Sequence, residues 1–209
     1  MPYLDEFLML TLIHLLAVMS PGPDFAIVVR QSISFDRKTA LITSLGIGTG
    51  IAVHMLYTLL GLGFIITQSE TGFLIAQIVG ISYLCYLAFN LLKSQPQDAH
   101  NDQFTIDNNK AHHRKAFMLG IMTNLLNPKA TLFFLAIFTT IVSLSTPLWV
   151  QTIYAGWIIF TTISWFFLVS FFFSQKRIRA KFVSHGYLFE RLMGVVLLLF
   201  AAKLIWGLI

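Results

Sequence analysis

The sequence predicts an all-α, polytopic membrane protein with six transmembrane helices. They are laid out as two inverted three-helix repeats, with helices 1 and 4 broken. Three observations carry this prediction. Only 11% of the 209 residues are charged and the mean hydropathy is +0.77, against about 25% charged residues in a soluble domain. Apolar stretches long enough to cross a bilayer, about 20 residues each, recur six times. Two of these stretches are interrupted by polar strings containing proline, Ser-Pro-Gly-Pro-Asp from Ser20 and Asn-Pro-Lys from Asn127.

The spans fall at roughly 6–33 (broken at 20–23), 39–66, 71–92, 115–143 (broken at 127–128), 147–173 and 188–208. Residues 1–209 read as a single transmembrane domain, with repeat one at 1–93, a loop at 94–114 and repeat two at 115–209. The N-terminus carries Asp5 and Glu6 in place of a basic region, so the first span reads as retained and not as a cleaved signal. In that span, Pro21, Gly22 and Pro23 must end one helix. Asp24 then puts a carboxylate at membrane depth, which is costly unless it faces protein or water.

The second span contains Gly46, Gly48, Gly50, Gly61 and Gly63. Gly46-x-x-x-Gly50 permits close backbone contact with a broken helix or with a second protomer, so a homodimer is compatible with the sequence. Gly80 in the third span and Gly194 in the sixth read the same way. Cys85 is the single cysteine, which excludes an internal disulfide and reads as a small apolar filler. The loop 94–114 is rich in Asp, Asn, Gln and His and reads as a flexible linker. Its His100, His112 and His113 read as solvated residues, and no metal site or cofactor is predicted. In the fourth span, Asn127 can cap a new half-helix whose first position is Pro128, and Ser20 followed by Pro21 offers the same arrangement in the first half. The aromatics of the fifth span, Phe166, Phe167, Phe171, Phe172 and Phe173, read as lipid-facing or core. Trp149 and Trp206 suit an aromatic belt. Lys203, near the end of the last span, can snorkel outward.

Charge placement sets the direction. The first loop carries Arg30, Arg37 and Lys38. The third carries Lys93, Lys110, Arg114 and Lys115. The fifth carries Lys176, Arg177, Arg179, Lys181 and Arg191. The second and fourth loops and the N-terminal tail carry neither Lys nor Arg. By the positive-inside rule the odd loops are cytoplasmic and both termini lie outside. Three spans per half then force the second half to enter the membrane in the opposite direction, which is the condition for an inverted repeat. The net charge of +5 belongs to short loops facing an anionic leaflet and does not imply nucleic acid.

Counting about 1.5 Å per residue from the cytoplasmic ends, Asp24 lies roughly 20 Å deep and Lys129 roughly 22 Å deep. Both fall in the middle of a hydrocarbon core about 30 Å thick. Paired broken helices in the two halves point to a transport site. Each half-helix starts with free N–H groups that attract an anion such as a carboxylate, and Gly22 lets a ligand approach the backbone. A small zwitterion would place its carboxylate at such a start or on Lys129, and its ammonium on Asp24. Alternatively, Asp24 and Lys129 pair in the empty state and Asp24 takes up a proton during the cycle. A purely structural Asp–Lys pair is a third reading, and the residues alone leave all three open. Thr123 and Asn124, one turn before Asn127, could bind substrate, satisfy freed carbonyls or join helices. His14, seven residues before Pro21, and His54 in the second span could relay protons towards Asp24. Each could equally be a satisfied histidine between helices.

Two segments, "LLAVMSPGPDF" from Leu15 to Phe25 and "GIMTNLLNPKAT" from Gly120 to Thr131, resemble the lysine exporter/resistance-to-homoserine (LysE/RhtB) superfamily of bacterial amino-acid exporters. The resemblance covers nearly the whole chain and is strongest to the threonine-efflux branch. It implies proton-driven export of a small neutral or polar amino acid, threonine- or homoserine-like, across a bacterial inner membrane. By position, Pro21, Gly22, Pro23, Asp24, Asn127, Pro128 and Lys129 match the family motifs. Cation or metal efflux is the competing transport reading, though it would need more oxygen or sulfur ligands than one intramembrane Asp. A non-transporting membrane subunit is another. An enzyme is not expected, because His-Glu-x-x-His, Gly-x-Ser-x-Gly and paired carboxylates are absent from the spans.

Overall fold

The computed structural model of the chain describes residues 3–68, 70–95, 112–143, 145–173 and 175–206. Among these residues the regular structure is eight helices and no strands: α1 (Leu4–Met19), α2 (Pro23–Ser34), α3 (Arg37–Gln68), α4 (Glu70–Leu92), α5 (His113–Leu125), α6 (Pro128–Ile141), α7 (Leu148–Phe172) and α8 (Lys176–Trp206). The interior of the 94–114 loop, with His100 and Lys110, lies outside the described residues.

Both interruptions are real helix breaks. The axis turns by 53° between α1 and α2, and by 56° between α5 and α6. The cause is local. Pro23 and Pro128 have no N–H to donate, so each sits at the first position of a new helix, where that N–H would be unpaired anyway. Asn127 caps α6 as its sequence predicts, its side chain accepting from the Lys129 N–H at 3.0 Å. The first break departs from the expected Ser20–Pro21 cap. Gly22 is the N-cap of α2 and Pro23 its first residue, while Ser20 closes α1. With two prolines two apart, the helix restarts at the second one. Gly22 has no side chain to cap with, so the start of α2 is bare backbone.

Three segments, Arg37–Gly61, Thr71–Leu92 and Leu148–Phe172, are long and apolar enough to cross a membrane, and the two bent pairs bring the number to as many as five. The apolar part of α8 carries Glu190, Arg191 and Lys203, which sets it apart by composition.

Small residues decide the packing. The tightest pairing is α3 on α5, where Gly46 and Gly120 let the backbones meet. A Cβ on Gly120 would overlap the Thr43 carbonyl oxygen, and one on Gly46 would overlap that of Phe117. Gly50 continues the seam, with the Asn124 side chain in the space a Cβ would need. This glycine row therefore packs within the chain, against a broken helix. Gly80 seats α4 on Ala136 of α6, and Gly194 seats α8 on the Ala88 carbonyl of α4. With no hydrophobic drive between helices in lipid, such close backbone contact supplies the packing. Phe166 and Phe173 are buried, while Phe171, Phe172, Trp149 and Trp206 are exposed on the outer surface.

One polar clamp ties the start of α1 to the α6–α7 connection. The Glu6 carboxylate accepts from the Ser143 N–H (3.1 Å), the Thr146 hydroxyl (2.9 Å) and the Tyr154 hydroxyl (3.3 Å).

Candidate functional site at the two helix breaks

The breaks of the two halves meet, and each half holds the charged group of the other. Asp24 is the second residue of α2, where a carboxylate favours the helix dipole. Its Oδ2 accepts from Asn124 Nδ2 at 2.9 Å and from Asn127 Nδ2 at 3.2 Å. Asn127 thus acts twice, with its oxygen on the start of α6 and its nitrogen on the acid. In return, Lys129 Nζ donates to Ser20 Oγ at 3.1 Å. The Tyr83 hydroxyl of α4 donates to the Lys129 carbonyl at 3.2 Å. Asp24 and Lys129 are neighbours in one cavity but not a direct ion pair, since each is held by neutral partners. Asp24 Oδ1 is buried and accepts no hydrogen bond. Gly22 lies beside the lysine head, and a Cβ there would sit 3.7 Å from Nζ.

A partly open cavity lies between these groups, with about 500 Å³ of empty space that includes its opening to solvent. Ser20, Gly22, Asp24, Asn124, Asn127 and Lys129 line its polar side, His14 and Thr162 add a second polar group, and apolar residues including Phe133, Phe134 and Phe166 complete the wall. The structure therefore brings Gly22, Asp24, Asn124, Asn127, Lys129 and His14 together. Pro21, Pro23, Pro128, Thr123 and His54 do not line the cavity; the prolines shape the breaks that frame it.

His54 stands behind Asn124. Its Nε2 lies 3.0 Å from the Asn124 carbonyl. A carbonyl only accepts, so Nε2 carries the proton, and in the neutral ring Nδ1 accepts from the Tyr57 hydroxyl. The Asn124 carbonyl is among those freed at the end of α5, and His54 and the Asn127 N–H (2.9 Å) satisfy it. His14 is 2% exposed. Its Nε2 is 3.2 Å from Thr162 Oγ1, and its ring packs against Phe133 and Phe134 at 6.5 and 6.1 Å.

Sequence reasoning missed Thr162, Tyr57 and the Phe133–Phe134 pair. Thr161-Thr162 is a polar doublet inside an apolar span, a signal that could have flagged the first. Tyr57 follows His54 by three residues, one helical turn. Nothing in the sequence distinguishes Phe133 and Phe134 from the chain's other eighteen phenylalanines.

A helical membrane protein with a charged cavity between two broken spans is the class this fold and site define. Residues 15–207 match the LysE type translocator family, and the chain belongs to that family of membrane transporters. It is 32% identical to the threonine efflux protein of Escherichia coli K12 over 177 residues, covering 83% of this chain and 84% of that one. The threonine efflux protein of Salmonella typhimurium is also 32% identical, over 175 residues, with the same shares of 83% and 84%. An uncharacterized membrane protein of Haemophilus influenzae is 27% identical over 201 residues, 95% of each chain. No solved structure matches the chain.

Proposed function

We propose that this protein is a secondary transporter that exports small neutral or polar amino acids, threonine- or homoserine-like, by proton antiport with alternating access. The observation that carries the reading is the cavity at the breaks. It presents an acid with a free oxygen, Asp24, and a base, Lys129, from the two halves of the chain without pairing them directly. A zwitterion supplies both missing partners, its ammonium to Asp24 and its carboxylate to Lys129 and the bare start of α2 beside Gly22. The threonine efflux relatives support the substrate class.

Asp24 is the proton-coupling acid in this reading. Its two amide donors stabilise the carboxylate, and a substrate ammonium competes with a proton for the same site, so the two are carried alternately. His54, behind Asn124, holds that residue's main-chain carbonyl at the end of α5. The reading takes the end of α8 as a sixth span and the two halves as inverted repeats in a bacterial inner membrane, with both termini outside. The odd loops hold twelve of the fourteen Lys and Arg, and α2 and α6 start at corresponding points of the two halves. Rocking of one repeat on the other would expose the cavity to each side in turn.

Counterflow in proteoliposomes with a panel of amino acids, with and without a pH gradient, tests the proposal. Accumulation of threonine or homoserine that grows with the gradient is expected. Counterflow of no amino acid, alongside movement of a metal cation, would transfer the protein to the competing transport class.

A further inference from the structure

We infer that His14 of α1 and Thr162 of α7 form the side-chain subsite of the cavity and select amino acids that carry a hydroxyl. The inference rests on the amino-acid reading above and adds what the site demands of the side chain. The backbone ends of a substrate occupy Asp24, Lys129 and Gly22. What remains of the lining is mostly apolar, with one further polar group, the His14–Thr162 pair. Asp24 and Lys129 are the only Asp, Glu, Lys or Arg among the lining residues, so an acidic or basic side chain would enter with its charge unpaired. The side chain must therefore be neutral.

The position of the pair fits a short side chain. His14 precedes Ser20, at the break, by six residues, or roughly 9 Å along α1. A hydrogen bond takes up about 3 Å at each end, which leaves roughly 3 Å between the bonded atoms of the substrate. That is about the reach from the α-carboxylate, held at the break by Lys129 beside Ser20, to a β- or γ-hydroxyl. The chemistry fits as well. Both side chains are almost fully buried, at 2% and 1% exposure. His14 Nδ1 makes no hydrogen bond of ordinary geometry, although the Ile158 backbone lies close enough to interact with the ring. A hydroxyl both donates and accepts, so it serves either tautomer of the imidazole and also the threonine. A methyl in its place would leave the buried His14 Nδ1 without a partner. The phenylalanines hold the imidazole from the side, so the pair cannot simply turn away to find other partners.

His14 thereby acquires a role separate from proton transfer. Its partner is a hydroxyl on α7, and no member of the Asp24 cluster is bonded to it.

The test uses threonine and valine, which share a shape and differ in hydroxyl against methyl. Labelled threonine is exchanged by the full-length protein in proteoliposomes and competed with unlabelled threonine or valine. Wild type is expected to prefer threonine by roughly tenfold, the worth of one hydrogen bond to a buried group. Thr162→Val, which keeps the side-chain shape, and His14→Gln are each expected to bring the ratio below about threefold. Thr162→Ser should retain it. A monodisperse elution profile and wild-type unfolding temperature establish that each variant is folded. A threonine-to-valine ratio unchanged in both variants would overturn the subsite, as would a wild type that takes both equally. In either case amino-acid exchange itself would stand. Exchange of no amino acid by the wild type would instead sink the transport reading, and this inference with it.

Discussion

Lys129 reaches back across more than a hundred residues of sequence to donate to Ser20, at 3.1 Å. The start of α6 is thereby fastened to the end of α1. Asp24, held by Asn124 and Asn127, completes a reciprocal exchange between the halves. Any motion of one half against the other must break or trade these bonds.

Loss of the acid is expected to uncouple the protein. Asp24→Asn is nearly isosteric, and its carbonyl oxygen can still accept from one of the neighbouring amides. Insertion and yield should match wild type, while export driven by a pH gradient falls at least about tenfold. Transport assays in vesicles of defined internal pH read this directly. Gradient-driven export at the wild-type rate would remove Asp24 from the coupling step.

On the basic side, Lys129→Ala is predicted to weaken substrate binding more than Ser20→Ala. The first removes the charge, and the second only one hydrogen bond to it. A hydrogen bond to a charged group contributes about 1.5 kcal/mol or more, so Ser20→Ala should weaken affinity by roughly tenfold. Isothermal titration or a concentration series of counterflow measures both. Equal affinities in Lys129→Ala and wild type would make the lysine a structural group.

The glycine seam gives a stability prediction. Gly120→Ala places a methyl on the Thr43 carbonyl, which is backbone and cannot swing aside. Overpacking of this kind costs about 1–3 kcal/mol, and thermal unfolding in detergent should shift downwards accordingly. Gly61→Ala is the control, because nothing lies within 4 Å of a Cβ there. A similar downward shift in both variants would show that close contact at Gly120 is not what governs the loss.

Outside the spans, Asp36 caps α3. Its Oδ1 accepts from the Thr39 N–H at 2.7 Å, and the Thr39 hydroxyl and N–H hold its carboxyl below the ordinary 3.8. A lowered folded-state value means the contribution is present in full above the unfolded value and fades as pH falls through the folded one. Asp36→Ala should therefore lose about 1 kcal/mol at neutral pH, and the difference should shrink in acid. Unfolding at pH 7 and pH 3 checks it. A difference independent of pH would mean that the charge takes no part in the cap.

How much of this was legible in sequence follows from the range of each effect. Hydropathy located the three long apolar helices and the two bent pairs, because burial in lipid acts on every residue of a helix at once. The two breaks were legible because proline's missing N–H acts within one turn. The exact restart was misjudged in the first half, where two prolines compete and the second prevails; in the second half a single proline left no choice. The glycine row announced close packing, but only the folded chain shows that its partner is α5.

The sequence by itself determined a helical membrane protein with interruptions at 20–22 and 127, and with Asp24 and Lys129 just after them, because composition and proline chemistry are local. Tertiary structure alone decided which groups those charges face. Asp24 meets two asparagines and Lys129 meets a serine, while His54 supports a carbonyl and His14 finds a threonine on α7. Such partners are fixed by how helices distant in sequence settle against one another, and small residues at their contacts set that distance, which no periodicity along the chain encodes.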